Sequence, residues 1–215
     1  MNKLKIVLIG DSITDAGRDY RNYHNMGNGY AKYVKEILSD MHPDCEFEFI
    51  NFGISGNRTS QLFDRLYTDC IAFAPDIVSI LIGVNDVWHR FLPAPIRTTT
   101  AQTELNLRCI LERIKAETNA KIIVMQPYVL NCEDNDLKRE LPEVRDVVER
   151  LASEYADAYI PLQNLFDNAL VNEADPMFFS LDGVHPNQNG ACFIAKHYAD
   201  CAKVLINGII KNKEI

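Results

Sequence analysis

The sequence has no long hydrophobic run. Its amino terminus, MNKLKIVLIGDS, starts with basic residues, but the apolar stretch at 6–9 ends at Gly10. A stretch this short is neither the core of a signal peptide nor a membrane span, which needs about 20 apolar residues. We therefore expect a cytoplasmic protein with no membrane partner.

Basic residues are in the minority. The chain has 22 Lys and Arg against 30 Asp and Glu, which gives a net charge of −8. Nucleic acids and anionic membranes would repel such a protein. The charge balance therefore argues against both as partners.

Cysteine pairs with metal-binding spacing are also missing. No C-x-x-C occurs, and no other ligand spacing points to a metal centre. We expect no metal and no cofactor. Most cysteines should be buried free thiols that act as small apolar residues; the six are Cys45, Cys70, Cys109, Cys132, Cys192 and Cys201.

Linkers, repeats and low-complexity segments do not occur either. The 215 residues are 47% hydrophobic and 24% charged, as in an ordinary globular protein. A chain of this length buries roughly 70% of its unfolded surface in one core. We predict a single domain over residues 1–215.

What the chain does contain is an alternation of strand and helix patterns. Near-continuous apolar runs predict strands covered on both faces, and apolar residues at helical spacing predict helices between them. This order predicts a flavodoxin-like three-layer α/β/α sandwich with a five-stranded parallel sheet. The predicted strands are 4–9, 46–51, 76–83, 121–127 and 158–162, and the predicted helices are 30–41, 60–73, 104–117, 141–156 and 189–210.

The segments that follow the strands are the natural place for a site. In an open parallel sheet, ligands bind outside the carboxyl ends of the strands. We therefore expect four segments to meet at one sheet edge: 10–12, 53–58, 83–89 and 126–128.

Ser12 follows the first predicted strand directly, and its hydroxyl needs a base to become a nucleophile. Among five histidines, His185 stands out because it lies in LDGVHPNQNG, three residues after Asp182. An acid on the same turn can hold the imidazole tautomer so that the other ring nitrogen accepts the serine proton. The simpler alternative is that Asp182 and Gly183 form a turn and His185 caps the last helix.

Two further residues could stabilise a developing oxyanion. Asn85, in IGVNDVW, carries a side-chain amide that donates without charge, and Gly56, in FGISGNRT, lets a backbone N–H approach a substrate closely. Each has a plain alternative as a turn or loop residue. Together with Ser12 and the Asp182–His185 pair, they form a set that is improbable by chance.

These residues, in this order, resemble the SGNH (GDSL) hydrolase family. The four blocks of that family match Ser12 in GDSI, Gly56 in GISGN, Asn85 in GVND and His185 in DGVHP. The resemblance implies a metal-free serine esterase with Ser12, Asp182 and His185 as catalytic residues. It also implies an oxyanion hole made by the N–H groups of Ser12 and Gly56 and the Asn85 amide.

A narrower resemblance is to the bacterial acetylxylan esterases of that family, through IGDSITDAGR, GNGYAKYV, NFGISGNR and VSILIGVNDVWHR. It implies removal of acetyl groups from a small acetylated sugar or oligosaccharide, in particular a xylo-oligosaccharide. One departure is Leu181, where an aromatic residue is expected before the aspartate block.

Three neighbours are candidates for substrate contact: Asp11, Arg58 and Trp88. Asp11 is more simply interpreted as a turn or helix-cap residue, and Arg58 equally suits an ordinary surface position. Trp88, the only tryptophan, could form an aromatic wall for a sugar or pack in a core or subunit interface. The long loop at 18–29 reads as a lid or an oligomer contact, so a homo-oligomer is kept among the expected partners.

Two other functions remain open. A lysophospholipase or thioesterase would need an apolar channel for an acyl chain, whereas the residues around the motifs here are polar and charged. A non-catalytic carbohydrate-binding relative would have no need of Ser12. Acyl-chain preference and covalent labelling of the serine distinguish these possibilities.

Overall fold

A five-stranded parallel sheet forms the centre of the computed structural model, which describes residues 2–130, 135–171, 173, 175 and 177–213. The strands are β1 (Asn2–Gly10), β2 (Cys45–Gly53), β3 (Ile77–Leu81), β4 (Lys121–Met125) and β5 (Ala158–Ile160). Their order across the sheet is β2-β1-β3-β4-β5. This is the flavodoxin-like order, so the predicted fold class is confirmed.

The strand order reverses between β1 and β3. In the register, Gly10 at the end of β1 pairs with Gly53 of β2 on one side and with Leu81 of β3 on the other. The carboxyl ends of the first three strands therefore lie next to one another. Such a switch point is where open α/β sheets leave a crevice for ligands.

Helices surround this sheet, as the sequence predicts. The larger ones bury a single apolar face against it, with Val34, Leu38, Leu107 and Ile114 fully buried. They are α1 (Ser12–Asp15), α2 (Tyr30–Met41), α3 (Thr59–Asp64), α4 (Leu66–Asp69), α5 (Val84–Trp88), α6 (Thr100–Glu117), α7 (Asn135–Tyr155), α8 (Leu162–Leu170) and α9 (Gln188–Lys213).

The helix predicted at 60–73 is divided into α3, α4 and a 3₁₀ turn, Ile71–Phe73. Arg65 lies at the break between α3 and α4. Its guanidinium donates to the backbone oxygens of Gly10 and Phe52, at 2.9 and 2.7 Å. The arginine thereby satisfies carbonyls at the ends of β1 and β2, and this contact with the sheet coincides with the interruption of the helix.

Other predicted boundaries shift for local reasons. Helix α6 begins at Thr100 rather than 104, because Thr99 and Gln102 form a capping box. Three short helices are not among the helices that the apolar spacing predicts: α1, α5 and α8. Two of these, α1 and α5, directly follow strands and carry candidate site residues.

The expectation that most cysteines are buried is wrong for the described part of the chain. Cys45 and Cys70 are buried, Cys109 and Cys201 are partly buried, and Cys192 is exposed on α9. Cys132 lies outside the described residues. Within the described ranges, no helix combines the length and the apolar character that a bilayer crossing would need.

Candidate active site

Ser12 is the first residue of α1 and follows β1 after a single residue. Asp11 caps this helix, and its Oδ1 accepts a hydrogen bond from the Ile13 N–H at 3.0 Å. The residue before Asp11 must be glycine, because a Cβ at Gly10 would lie 2.4 Å from both the Leu81 carbonyl oxygen and Thr14 Oγ1. The serine is therefore held at the end of a rigid strand in a turn that only glycine allows.

The Ser12 hydroxyl, His185 and Asp182 form a continuous chain of hydrogen bonds. Ser12 Oγ lies 2.9 Å from His185 Nε2, and His185 Nδ1 lies 2.7 Å from Asp182 Oδ2. A carboxylate only accepts hydrogen bonds, so Nδ1 carries the proton that faces Asp182. In the neutral imidazole, Nε2 is then free to accept the proton of Ser12.

The Asp182 carboxylate also organises the backbone of its own turn. Its Oδ1 accepts hydrogen bonds from the N–H groups of Val184 and His185, at 2.9 and 2.7 Å. Burial raises the pKa of this carboxyl, but the hydrogen bonds from His185 and Val184 outweigh it and hold the pKa below its usual value. The carboxylate is thus ionised when it faces the imidazole.

This turn lies outside the sheet, ahead of α9, and is fixed by a few contacts. Gly183 has a φ of 90°, which lets the chain reverse between Asp182 and His185. Its carbonyl accepts from the Leu130 N–H at 2.7 Å, and Ser180 Oγ donates to the His185 carbonyl at 2.9 Å. These bonds place the imidazole over the Ser12 hydroxyl.

Gly56 and Asn85 lie in the loops that follow β2 and β3. Gly56 has a φ of 78°, and a Cβ built there would meet only His89, at 4.0 Å, so the space around it is open. The buried Asn85 side chain donates to the Asn57 carbonyl at 3.1 Å. An amide has two N–H donors, so this bond leaves the second one for another acceptor.

Asp86 is a buried carboxyl that the sequence pattern does not single out as a site residue. Its oxygens accept from the Thr59 N–H at 3.0 Å, from Thr59 Oγ1 at 2.5 Å and from Thr103 Oγ1 at 3.1 Å. Burial raises the pKa of Asp86 despite these bonds. The carboxyl ties α3, which follows Gly56, to α5, which carries Asn85.

The three candidates for substrate contact have different surroundings. Asp11 is only 1% exposed, so we reassign it from substrate contact to helix cap. Arg58 donates to Thr98 Oγ1 and Gln61 Oε1, at 2.9 and 3.2 Å, and its contact with substrate stays a prediction. The half-buried Trp88 ring lies 5.9 Å from the His185 ring, centre to centre, and also packs against the hydrophobic core, so its contact with substrate stays a prediction.

A cleft of about 530 Å³ opens beside Ser12 and His185. One wall comes from α2, with Lys32 and Tyr33, and the other from the segment around Leu181 and Gln188. Leu181 is 71% exposed at the cleft. The sequence did not single out Lys32 or Tyr33, because a helix of mixed polarity gives no signal for a pocket wall.

Comparisons with known proteins identify the family of this chain. The model of the GDSL-like lipase/acylhydrolase family matches residues 8–191. An acetylxylan esterase from Geobacillus stearothermophilus is 31% identical over 201 residues, 90% of this chain and 91% of that protein. Thioesterase 1/protease 1/lysophospholipase L1 of Escherichia coli K12 is 30% identical over 158 residues, 74% of this chain and 68% of that protein.

Solved structures give the same result. A GDSL-like lipase from Parabacteroides merdae superposes with a TM-score of 0.88 at 34% identity, covering 93% of this chain and 95% of that one. Axe2, an acetylxylan esterase from G. stearothermophilus, superposes with a TM-score of 0.83 at 31% identity, covering 92% and 93%. The chain therefore belongs to the GDSL-like lipase/acylhydrolase family and is a carboxylic-ester hydrolase.

Proposed function

We propose that this esterase removes acetyl groups from acetylated carbohydrate, with xylo-oligosaccharides as the substrate class. The observation that carries the proposal is the hydrogen-bonded chain from Ser12 through His185 to Asp182 beside an open cleft. A hydroxyl, an imidazole and a carboxylate in this order form the machinery of nucleophilic acyl transfer.

In the acylation half-reaction, His185 Nε2 accepts the Ser12 proton as Ser12 Oγ attacks the acetyl carbonyl carbon. The tetrahedral oxyanion accepts hydrogen bonds from the N–H groups of Ser12 and Gly56 and from the Asn85 amide. The ester C–O bond then breaks, and His185 gives its proton to the departing sugar oxygen. Asp182 stabilises the imidazolium between these two transfers.

In the deacylation half-reaction, His185 takes a proton from water, and the resulting hydroxide attacks the acetyl-serine carbonyl. The same donors hold the second oxyanion. Collapse of this intermediate breaks the bond to Ser12 Oγ, which recovers its proton from His185, and acetate leaves. No residue other than Ser12 becomes acylated in this scheme.

The cleft supports a polar alcohol as the leaving group. Its lining includes Asn28, Lys32 and Gln188, residues whose polar side chains can form hydrogen bonds with sugar hydroxyls. Acetylxylan esterases from two bacteria, G. stearothermophilus and Xylanibacter ruminicola, are among the relatives, at 31% and 28% identity. Leu181 gives the cleft an aliphatic contact where the resemblance implies an aromatic one, so the preferred sugar can differ from theirs.

A lysophospholipase or thioesterase activity is the second candidate, because an E. coli relative carries both names at 30% identity. The two activities place opposite demands on the enzyme. A long acyl chain needs an apolar channel, whereas acetyl needs none. Acyl-chain preference therefore distinguishes them.

The deciding experiment measures kcat/KM for p-nitrophenyl acetate and p-nitrophenyl octanoate, together with acetate release from acetylated xylo-oligosaccharides. We expect acetate esters to be favoured at least about tenfold, because a site built for acetyl has no apolar channel in which to bury the additional methylenes of octanoate. A preference for octanoate would assign the second candidate. Failure of a serine-directed phosphonate to label Ser12 would favour a non-catalytic carbohydrate-binding protein.

A further inference from the structure

Asp15, at the end of α1, lies between the turn that carries Ser12 and the loop that carries Gly56. Its Oδ2 accepts hydrogen bonds from the Ser55 N–H at 3.0 Å and from Ser55 Oγ at 2.6 Å. The backbone N–H of Asp15 donates to the Asp11 carbonyl at 2.9 Å, which closes the turn around Ser12. One carboxylate thus joins the residue next to Gly56 to the helix that begins with the serine.

The same carboxylate is held from a third side by the loop at 18–29. The Tyr20 hydroxyl donates to Asp15 Oδ2, and the Arg18 N–H donates to Oδ1 at 3.2 Å. Tyr20 is fixed although it is 57% exposed, because the Arg18 guanidinium lies 4.4 Å from the centre of its ring. Arg18 is itself anchored, with Nε donating to the Gly53 carbonyl at 2.7 Å.

The backbone around this link leaves little room for adjustment. A Cβ at Gly53 would lie 2.1 Å from the Asp15 nitrogen, so the end of β2 and the end of α1 are in direct backbone contact. The Ile54 N–H donates to the Gly10 carbonyl at 3.1 Å. Among the side-chain contacts described for residues 53–56, only that of Ser55 with Asp15 joins this segment to α1.

We propose that Asp15 and Tyr20 are positioning residues of the oxyanion hole: through Ser55 they fix the direction of the Gly56 N–H relative to Ser12. The inference rests on the proposed function, because it assigns a task to the Gly56 donor. It also links the long loop at 18–29 to the chemistry, since Tyr20 belongs to that loop.

The charge on Asp15 is suited to this task. Burial raises the pKa of the carboxyl, but the hydrogen bonds from Ser55 and Tyr20 prevail and lower it below the usual value. Charge-assisted hydrogen bonds are roughly twice as strong as neutral ones. Loss of one of them loosens the grip on Ser55 without removing any group that touches the substrate.

The test compares Tyr20→Phe with Tyr23→Phe in the full chain. Both variants remove one hydroxyl from the same loop, but the Tyr23 hydroxyl has no hydrogen-bond partner among the described residues, and its ring packs against Phe52 and Phe73. We expect Tyr20→Phe to lower kcat for p-nitrophenyl acetate about tenfold with KM changed less than about twofold, because displacement of a donor weakens transition-state binding selectively. Tyr23→Phe should leave both constants unchanged.

A double-mutant cycle tests whether Tyr20 acts through Asp15 and Ser55. Ser55→Ala removes the 2.6 Å bond to the same carboxylate oxygen. The effects of Tyr20→Phe and Ser55→Ala on kcat should be non-additive, whereas those of Tyr23→Phe and Ser55→Ala should add. Additive effects in the first pair, or equal kinetics of Tyr20→Phe and wild type, would overturn the proposal.

Amide hydrogen exchange separates this inference from the proposed function. In Tyr20→Phe, the amides of Ser55 and Gly56 should exchange faster than in wild type or Tyr23→Phe, at an unchanged melting temperature. Unchanged exchange overturns the positioning role whatever the activity. Faster exchange in a protein that cleaves no acetyl ester supports the link and counts against the proposed function alone.

Discussion

The turn that carries Ser12 packs on the ends of β1 and β2, whereas the turn that carries Asp182 and His185 stands outside the sheet. The first is fixed by backbone contacts that exclude any side chain at Gly10 and Gly53. The second is fixed by side-chain bonds within one short segment, chiefly those of the Asp182 carboxylate. The serine is therefore positioned by the core, and the base mainly by its immediate sequence neighbours.

This difference predicts how the two turns respond to substitution. Changes near Ser12 that disturb the backbone should affect the stability of the whole domain. Changes in the 180–187 turn should affect the reaction more than the fold. Four experiments test this contrast.

The largest effect is expected for Ser12→Ala. Removal of the nucleophile should lower kcat by on the order of 10⁴- to 10⁶-fold, because the remaining groups cannot form the acyl-enzyme. Ser12 lies on the surface of the cleft, so the melting temperature should stay within about 2 °C of wild type. Hydrolysis of p-nitrophenyl acetate and thermal unfolding measure both quantities. Substantial residual turnover would refute the assignment of the nucleophile.

Asp182→Asn comes next. The amide can still accept hydrogen bonds, but its loss of charge removes the stabilisation of the imidazolium and the preference for the proton on His185 Nδ1. We expect kcat to fall about 10³- to 10⁴-fold with a small change in unfolding midpoint. A loss of less than about tenfold would show that Asp182 does not orient the base.

A matched pair of alanine substitutions compares the two turns directly. In Gly53→Ala, the new Cβ would collide with backbone atoms of Thr14 and Asp15, which cannot move without displacing α1. This variant should lose at least about 3 kcal/mol of stability or fail to fold. Gly183→Ala forces a φ of 90° on a residue with a side chain, a backbone strain of about 1–3 kcal/mol.

Urea unfolding gives the stability of each variant, and ester hydrolysis shows whether Gly183→Ala loses more activity than its stability change explains. Equal destabilisation of the two variants would contradict the contrast between the turns.

The smallest effect concerns Asp11, whose carboxyl is buried and whose Oδ2 has no hydrogen-bond partner among the described residues. Burial raises the pKa of Asp11 from 3.8 to about 7, against the opposing influence of the Ile13 N–H and His185. The folded protein therefore binds this proton more tightly than the unfolded chain. The stability that the protonated Asp11 carboxyl contributes to the folded protein is complete below about pH 4. It is lost as the pH rises through about 7.

Asp11→Asn has no charge to bury, so its stability relative to wild type should improve over that window. A shift of one pKa unit corresponds to about 1.4 kcal/mol. The cost of the unpaired amide donor in the variant does not depend on pH, so it lowers the whole stability curve and not its change with pH. We expect a relative gain of about 2–3 kcal/mol in urea unfolding between pH 4.5 and pH 7.5. Parallel stability curves for the two proteins would contradict the raised pKa.

The elements that the sequence predicts best are those whose pattern is local. The runs KIVLI and DIVSILIG give β1 and β3, and their order along the chain implies that Ser12 and Asn85 come to one edge. Gly183 could be assigned to a turn from its neighbours, and its positive φ agrees. These features depend on residues that are close in sequence or on a general rule for parallel sheets.

The features that the sequence does not reveal depend on distant partners. Asp86 bonds Thr59 and Thr103, and Asp15 bonds Ser55, across separations of 17 to 40 residues. An aspartate in a loop is normally a cap or turn residue, and nothing in the local pattern distinguishes these two. The break at Arg65 is hidden for the same reason, since its partners are carbonyls of strands that precede it.

The loop at 18–29 closes on itself: the Asn28 N–H donates to the Ala16 carbonyl at 2.9 Å, where α1 ends. Its two ends are thus adjacent, as in a compact Ω-loop. The loop is also bonded to β2, since Arg18 Nε donates to the Gly53 carbonyl and the Tyr23 carbonyl accepts from the Asn51 N–H at 2.8 Å. A loop transplanted from a related esterase to change selectivity would therefore have to restore these bonds. It would also have to keep a hydroxyl at the position of Tyr20, because without the bond to Asp15 we expect the recipient to lose turnover.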